Sequence, residues 1–291
     1  MADRDEDPGQ AASRLTGRPV TGARAAHGRP TEVTLDDGTT VMVKPDGVPG
    51  AVRAEAAGLR WLAAADAVAV PAVLGHDEHW LVTERVPTGH PDPAAAHRFG
   101  RALAALHSAG APHFGAPPPG GPEDACIGLA PMRNTPAPDW PDWPGWYGEQ
   151  RVLPYVRGAV DRGTLRPAEA GVFERVCARL PELAGPAEPP ARLHGDLWNG
   201  NVLWGADGEV RLIDPAAHGG HRETDLAMLQ LFGCPHLDRV LAGYEETAPT
   251  AAGRRERVGV HQLFPLLVHA VLFGRGYAEQ ALAVAREALA R

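Results

Sequence analysis

The run His194-Gly-Asp-Leu-Trp-Asn-Gly-Asn201 constrains this chain more than any other stretch. It sets a carboxylate, Asp196, and a carboxamide, Asn201, five residues apart, with Gly195 and Gly200 beside them. Glycine adopts backbone turns that other residues resist. The two polar side chains can therefore converge on one reaction centre, one reaching an attacking hydroxyl and the other a metal ion on a phosphate. Taken alone, the run also reads as a turn with an aspartate cap.

The second constraint is a scarcity. Of 28 basic residues, 27 are Arg, and the single lysine is Lys44. Ala, Gly, Pro and Arg are all abundant, as a GC-rich genome produces, and in such a chain Arg replaces Lys wherever either will serve. A compact ammonium on a flexible stem differs from a planar fork, so Lys44 reads as a place where Arg does not serve, with chance survival as the alternative. It ends the alternating stretch Val41-Met-Val-Lys44, and Glu55 follows eleven residues later on an expected helix. Such a pair can hold an ammonium against the phosphates of a nucleotide. Downstream, Asp214 closes the apolar stretch Val210-Arg-Leu-Ile213. A carboxylate there is an expected magnesium ligand, although an Asp before Pro is also a common turn former.

Strand lysine, helix glutamate, loop Asp…Asn and strand-end aspartate follow the order of parts in protein kinases. That order predicts phosphoryl transfer from ATP with Mg2+. Lys44 and Glu55 would serve the nucleotide, Asn201 and Asp214 the metal, and Asp196 the substrate hydroxyl. The stretch Trp80-Leu-Val-Thr-Glu-Arg-Val86 falls where an interlobe hinge belongs, with the backbone from Glu84 to Val86 expected to pair with adenine. Asp225 is expected to anchor the catalytic loop, with His194 supporting it, although a first-turn carboxylate is favoured by the helix dipole in any case. Trp198, between base and metal ligand, is the better candidate for a substrate wall. Trp143 and Trp146 could stack on a sugar or simply anchor a loop. His221 is a further substrate-side candidate, though no histidine here has metal-ligand spacing and a structural role would explain it equally.

The expected fold class is α+β, with a small antiparallel-sheet lobe and a larger, mostly helical lobe. Residues 1–13 are expected without fixed structure, 14–87 as the nucleotide-binding lobe with its hinge, and 88–291 as the helical lobe. In the first lobe, Glu32-Val-Thr-Leu35, the turn signal Asp36-Asp-Gly38 and residues 39–44 read as a hairpin. Residues 51–65 read as helix, and 67–70 and 80–83 as short strands. Beyond a linker at 87–93, residues 94–108, 146–160, 167–183 and most of 223–291 read as helices. The Pro- and Gly-rich stretch 115–146 reads as a long loop.

Composition excludes several classes. A net charge of −8 disfavours nucleic-acid partners. No run approaches the ~18 apolar residues of a membrane span. The acidic start lacks the basic and apolar regions of a signal peptide. Three scattered cysteines argue against a disulfide framework and for a reducing cytoplasm. A monomer is expected.

Leu193-His-Gly-Asp-Leu-Trp-Asn-Gly-Asn201 resembles the signature of the fructosamine (ketosamine) kinases. Asp214-Pro-Ala216 with Gly220-His-Arg-Glu-Thr-Asp-Leu-Ala-Met228, Glu55-Ala-Ala-Gly-Leu59 and Phe273-Gly-Arg-Gly-Tyr277 are similar to other motifs of that family. The resemblance implies a protein-kinase-like fold and ATP-dependent phosphorylation of a sugar hydroxyl on a free or protein-bound ketoamine, in the service of deglycation. A kinase of aminoglycosides or other amines, and a nucleotide-binding protein without turnover, are the alternatives. The family's phosphate-covering loop usually has two glycines, whereas Val20-Thr-Gly-Ala-Arg-Ala-Ala-His27 has Gly22 alone, expected at a tight turn over the nucleotide. The family's cysteine in that loop is missing, so no disulfide-linked dimer of that kind is expected. In Ile127-Gly-Leu-Ala-Pro-Met-Arg-Asn134, Met132 stands where the family often has Gln.

Overall fold

The computed structural model of the chain describes residues 6–24 and 30–291. Five antiparallel strands form one sheet in the order β1-β2-β3-β5-β4. They are β1 (Val20–Arg24), β2 (Thr31–Leu35), β3 (Thr40–Pro45), β4 (Val73–His76) and β5 (Trp80–Glu84). Successive side chains of a strand face opposite ways. Val33 and Leu35 of β2, Val41 and Val43 of β3, and Trp80 and Val82 of β5 therefore make one apolar face. Leu81 lies on the other, against Val52, Ala56 and Leu59 of α2 (Ala51–Ala63). Three successive buried residues in β5 reflect cover on both faces.

The first face is covered by α1 (Pro8–Thr16), through Ala11 and Ala12. This corrects the reading of residues 1–13 as unstructured and places the 13/14 boundary inside a helix; residues 1–5 lie outside those described. The signal is local. Asp7 accepts the N–H of Gln10 at 2.9 Å, Gln10 Oε1 accepts the N–H of Asp7 at 3.0 Å, and Pro8 opens the first turn. That is a capping box with a preset φ, hidden in a segment that looked merely acidic.

Two further readings change. Gly22 lies inside β1, opposite Thr34 and beside a bulge, not at a turn over nucleotide. Residues 25–29, which include the end of the expected phosphate loop, lie outside the described residues. The stretch 67–70 contributes only a bridge from Ala69 to Arg211. The ladder begins at Val73 instead, after Pro71, which has no N–H to give a neighbouring strand.

The helical lobe starts with α3 (Pro93–Ser108). The stretch 115–146 is not one loop. It holds the hairpin β6 (Asp124–Ile127) and β7 (Ala130–Arg133), then α4 (Trp143–Tyr147). A π-helical turn, Gly148–Val152, leads into α5 (Leu153–Asp161) and α6 (Pro167–Leu183). Three strand pieces follow, β8 (Ala191–Leu193), β9 (Val202–Trp204) and β10 (Val210–Leu212), with β11 (His218–Gly220) pairing back on β8. The chain ends in α7 (Glu223–Phe232), α8 (Leu237–Thr247), α9 (Arg254–Phe273) and α10 (Arg275–Leu289).

One detail ties the linker between the lobes, and another packs the helical lobe. The linker is tied to the β9–β10 hairpin: Gly89 donates to Trp204 O at 2.7 Å and Ala206 to Pro87 O at 2.8 Å. Behind it, α3 and α8 touch backbone to backbone. A Cβ on Gly100 would lie 2.0 Å from Val240 O, and one on Gly243 would lie 2.1 Å from His97 O.

Candidate active site

Five polar side chains from four places in the chain meet between the lobes. Lys44 Nζ, at the end of β3, donates to Glu55 Oε2 of α2 at 2.7 Å and to Asp214 Oδ1 at 3.1 Å. Burial pulls the Lys44 ammonium down, but Glu55 and Asp214 outweigh it and hold the group above its ordinary value. Burial pushes the Glu55 carboxyl up, and the ammonium opposes this. At 2.7 Å the two stand as an ion pair.

On the opposite wall, Asn201 Nδ2 donates to Asp196 O at 2.8 Å and to Asp196 Oδ2 at 3.1 Å. That leaves Asn201 Oδ1 as an oxygen donor. Burial, reinforced by Asp214 and Asp225, pushes the Asp196 carboxyl up to about 7 against the opposing Asn201 hydrogen bond and Lys44. A carboxyl held there is poised to take a proton near neutrality. Asp214 has φ of 52°, in the left-handed region. Asp tolerates that region better than most residues, and such outliers gather at functional sites.

The loop carrying Asp196 is fixed from behind. Asp225, on the first turn of α7, accepts the N–H of His194 at 2.8 Å and of Gly195 at 3.0 Å. His107 Nε2 lies 3.2 Å from the same carboxylate, and His107 Nδ1 lies 2.8 Å from the Tyr244 hydroxyl. The His194 ring bridges Ile213 O and the Asp196 N–H, and burial lowers its pKa so that it is neutral. Gly195 is required: its φ is 83°, and a Cβ would meet Ala216 O at 2.1 Å.

The five groups line a cleft of about 330 Å³ whose other walls include Val48, Val52, Cys126, Leu129, Trp198 and Pro215. A larger hollow of about 500 Å³, lined by Asp46, Arg53, Glu78 and His79, holds none of them. Glu84 and Val86 stand where β5 leaves the sheet, with Glu84 opposite Val41. Trp198 is 41% exposed at the cleft.

Three sequence candidates are elsewhere. Trp143 and Trp146 are buried in the helical core, not presented to a sugar. Trp143 stacks on Tyr147 with centroids 4.4 Å apart, and Trp146 lies beside Phe114 and under the Arg151 guanidinium. His221 is buried among Trp143 and His261, where burial drops it to about 4. Tryptophan in a Pro-rich stretch signals a ring that needs a home, and here the home is the core. Met132 also faces the core. The sequence reading missed His107, whose isolated position in a helix gives no sign of its partner, and Cys126 at the cleft; Leu129, in the family-like segment Ile127–Asn134, is also on the cleft wall.

A profile of the fructosamine kinase family matches residues 11–291. The chain belongs to the fructosamine kinase family. It is 34% identical over 242 residues to the "Probable ketoamine kinase" of Synechocystis sp., covering 81% of this chain and 78% of that one. It is 30% identical over 190 residues to the chloroplastic protein-ribulosamine 3-kinase of Arabidopsis thaliana, covering 64% of this chain and 55% of that one. A crystal structure from Thermobifida fusca described as a fructosamine-3-kinase superposes with a TM-score of 0.89 at 50% identity, covering 97% of this chain and 98% of that one. Membership makes the chain a phosphotransferase with an alcohol acceptor, on a protein-kinase-like fold of sheet lobe and helical lobe. Among the described residues, no helix is long and apolar enough to cross a membrane.

Proposed function

We propose that this chain phosphorylates a sugar hydroxyl of ketoamines, using ATP. The observation that carries the reading is the meeting of Lys44, Glu55, Asp214, Asp196 and Asn201 in one cleft. The names of its relatives, ketoamine kinase and protein-ribulosamine 3-kinase, supply the substrate class.

In this reading the adenine pairs with the backbone from Glu84 to Val86, and Lys44, held by Glu55, faces the phosphates. Asp214 and Asn201 offer the hard oxygen donors that Mg2+ takes beside phosphate and water. Bound there, the ion would offset phosphate charge. Asp196 accepts the proton of the sugar hydroxyl as the hydroxyl oxygen bonds to the terminal phosphorus of ATP, and the bond from that phosphorus to the bridging oxygen breaks to release ADP. Trp198 presents a ring face to the sugar. The protein's contribution is placement and charge, not covalent chemistry.

The test is ATP consumption with synthetic fructosamines, ribulosamines and aminoglycosides, with Asp196→Asn as control. Ketoamine-dependent turnover that disappears in the variant is expected. Turnover of aminoglycosides alone would overturn the substrate class. A shift in melting temperature with Mg-ATP, but no transfer to any acceptor, would overturn the enzyme.

A further inference from the structure

Aromatic rings continue outward from the cleft. Trp198, which lines it, meets Phe232 at the end of α7 edge to face, with centroids 6.4 Å apart. Phe232 lies 4.7 Å from the ring of His269 on α9. His269 lies 5.2 Å from Phe273 and 4.9 Å from Tyr277 on α10. These rings come from three separate places in the chain: Trp198, Phe232 and the stretch from His269 to Tyr277. Phe273, at the far end, is 67% exposed.

Single exposed apolar residues need no explanation. Here their placement does. Of the four large hydrophobics exposed among the described residues, Leu129 and Trp198 line the cleft and Phe273 belongs to the ring ladder; only Leu74 is elsewhere. The β6–β7 tip sits against the same wall, since a Cβ on Gly128 would lie 3.9 Å from Leu272 of α9.

Charge narrows the occupant. The acidic residues lining the cleft are Glu55, Asp196 and Asp214, all committed to the phosphoryl-transfer site. Arg275, beside the ladder, is committed to Glu169 at 2.6 Å and Glu279 at 3.1 Å. His269 donates to Pro265 O at 2.8 Å, and burial lowers its pKa, so it adds no positive charge at neutral pH. Among the described residues lining the cleft, a polycationic acceptor would find no carboxylate outside the phosphoryl-transfer site. An apolar or aromatic group would find a run of aromatic rings that begins at the residue beside the reacting sugar and ends near the exposed Phe273.

We infer that the ladder Trp198–Phe232–His269–Phe273–Tyr277 is a subsite for the substituent on the ketoamine nitrogen, and that it selects low-molecular-weight ketoamines of aromatic or apolar amines. The inference rests on the proposed function and adds which amine the enzyme favours. The sugar reaches Asp196, and the nitrogen substituent leaves the cleft across Trp198 and lies along the rings.

The experiment compares kcat/KM for two ketoamines sharing one ketose, made from methylamine and from phenethylamine. A lysine-peptide ketoamine and a putrescine ketoamine are included. Wild type is expected to favour the phenethylamine compound by several-fold, up to about tenfold, the range that an added ring contact supplies. Phe273→Ser should bring that ratio towards one with an unchanged melting temperature, because the ring is exposed. Phe232→Leu, which keeps apolar volume, should reduce it partly. Equal kcat/KM for the two amines in wild type would overturn the subsite, as would a preference that survives both substitutions. So would a putrescine or peptide ketoamine that outperforms the phenethylamine compound. If no ketoamine is phosphorylated, the proposed function fails first, and the subsite with it.

Discussion

His194 donates its Nε2–H to the carbonyl oxygen of Ile213 at 2.9 Å, while its Nδ1 accepts the N–H of Asp196 at 3.2 Å. One neutral ring thus couples the strand end before Asp214 to the loop holding the proposed base. His194→Ala would leave two buried polar groups unpaired and a void. Together these cost roughly 2–5 kcal/mol. We expect a clear fall in melting temperature and a kcat lower by about 10–100-fold, the usual size of a positioning defect. Stopped assays at saturating ATP would show it; wild-type kcat in this variant would contradict the coupling.

Asp196 sets the pH dependence. Its carboxyl is pushed up to about 7, chiefly by burial. Below that pH it is protonated and cannot accept the hydroxyl proton, so kcat/KM should rise about tenfold per pH unit to a plateau above about 7. Asn201 lowers the group, so Asn201→Ala should move the limb to higher pH. For stability the sign is opposite. A carboxyl held above its ordinary value favours the fold in acid, and that advantage is lost as pH rises through about 7. Asp196→Asn should therefore melt higher than wild type at pH 8 while turning over about 10²–10⁴-fold more slowly. A flat profile from pH 5 to 8 would contradict the assignment.

Lys44→Arg tests whether the single lysine is a requirement. The ammonium contacts Glu55 at 2.7 Å and Asp214 at 3.1 Å from one atom. A planar fork delivers its donors in different directions. We expect kcat/KM for ATP to fall by about 10²–10³-fold with the fold intact, as for loss of one preorganised electrostatic donor. Near-normal catalysis by the arginine variant would show that a positive charge alone suffices.

Two glycines give contrasting tests. A Cβ on Gly243 would lie 2.1 Å from His97 O, a backbone atom in a packed helix, whereas among the described residues nothing lies within 4 Å of a Cβ on Gly22. Gly243→Ala should destabilise by about 1–3 kcal/mol or more through overpacking. Gly22→Ala should leave the melting temperature nearly unchanged. Equal melting temperatures for the two variants would refute the close helix contact.

The sequence disclosed most where one residue type is hard to replace. Lys44, Asp196, Asn201 and Asp214 carry chemistry in their order and spacing, and they meet as that order implies. The helix at 51–63 was legible from its apolar periodicity, and the one at 167–183 opens on Pro167 in its first turn. Legibility failed where burial, not type, decides. Trp143, Trp146 and His221 look like ligand-binding residues, yet the helical lobe uses them as filling. The terminal helix was missed because its capping box hides in an acidic stretch. Phe232 and His269 join the cleft only through tertiary packing of α7 on α9, which no local pattern encodes.

The Lys44 ion pair has a consequence outside catalysis. Reducing sugars attack unprotonated lysine amines, and this chain of 291 residues has one ε-amine. That amine is held charged between Glu55 and Asp214 and above its ordinary value. An enzyme whose proposed substrates arise when sugars modify amines has thus almost no lysine of its own to be modified. In sugar-rich conditions it would outlast lysine-rich neighbours, and the charge that orients phosphate would also keep its side chain from becoming a substrate.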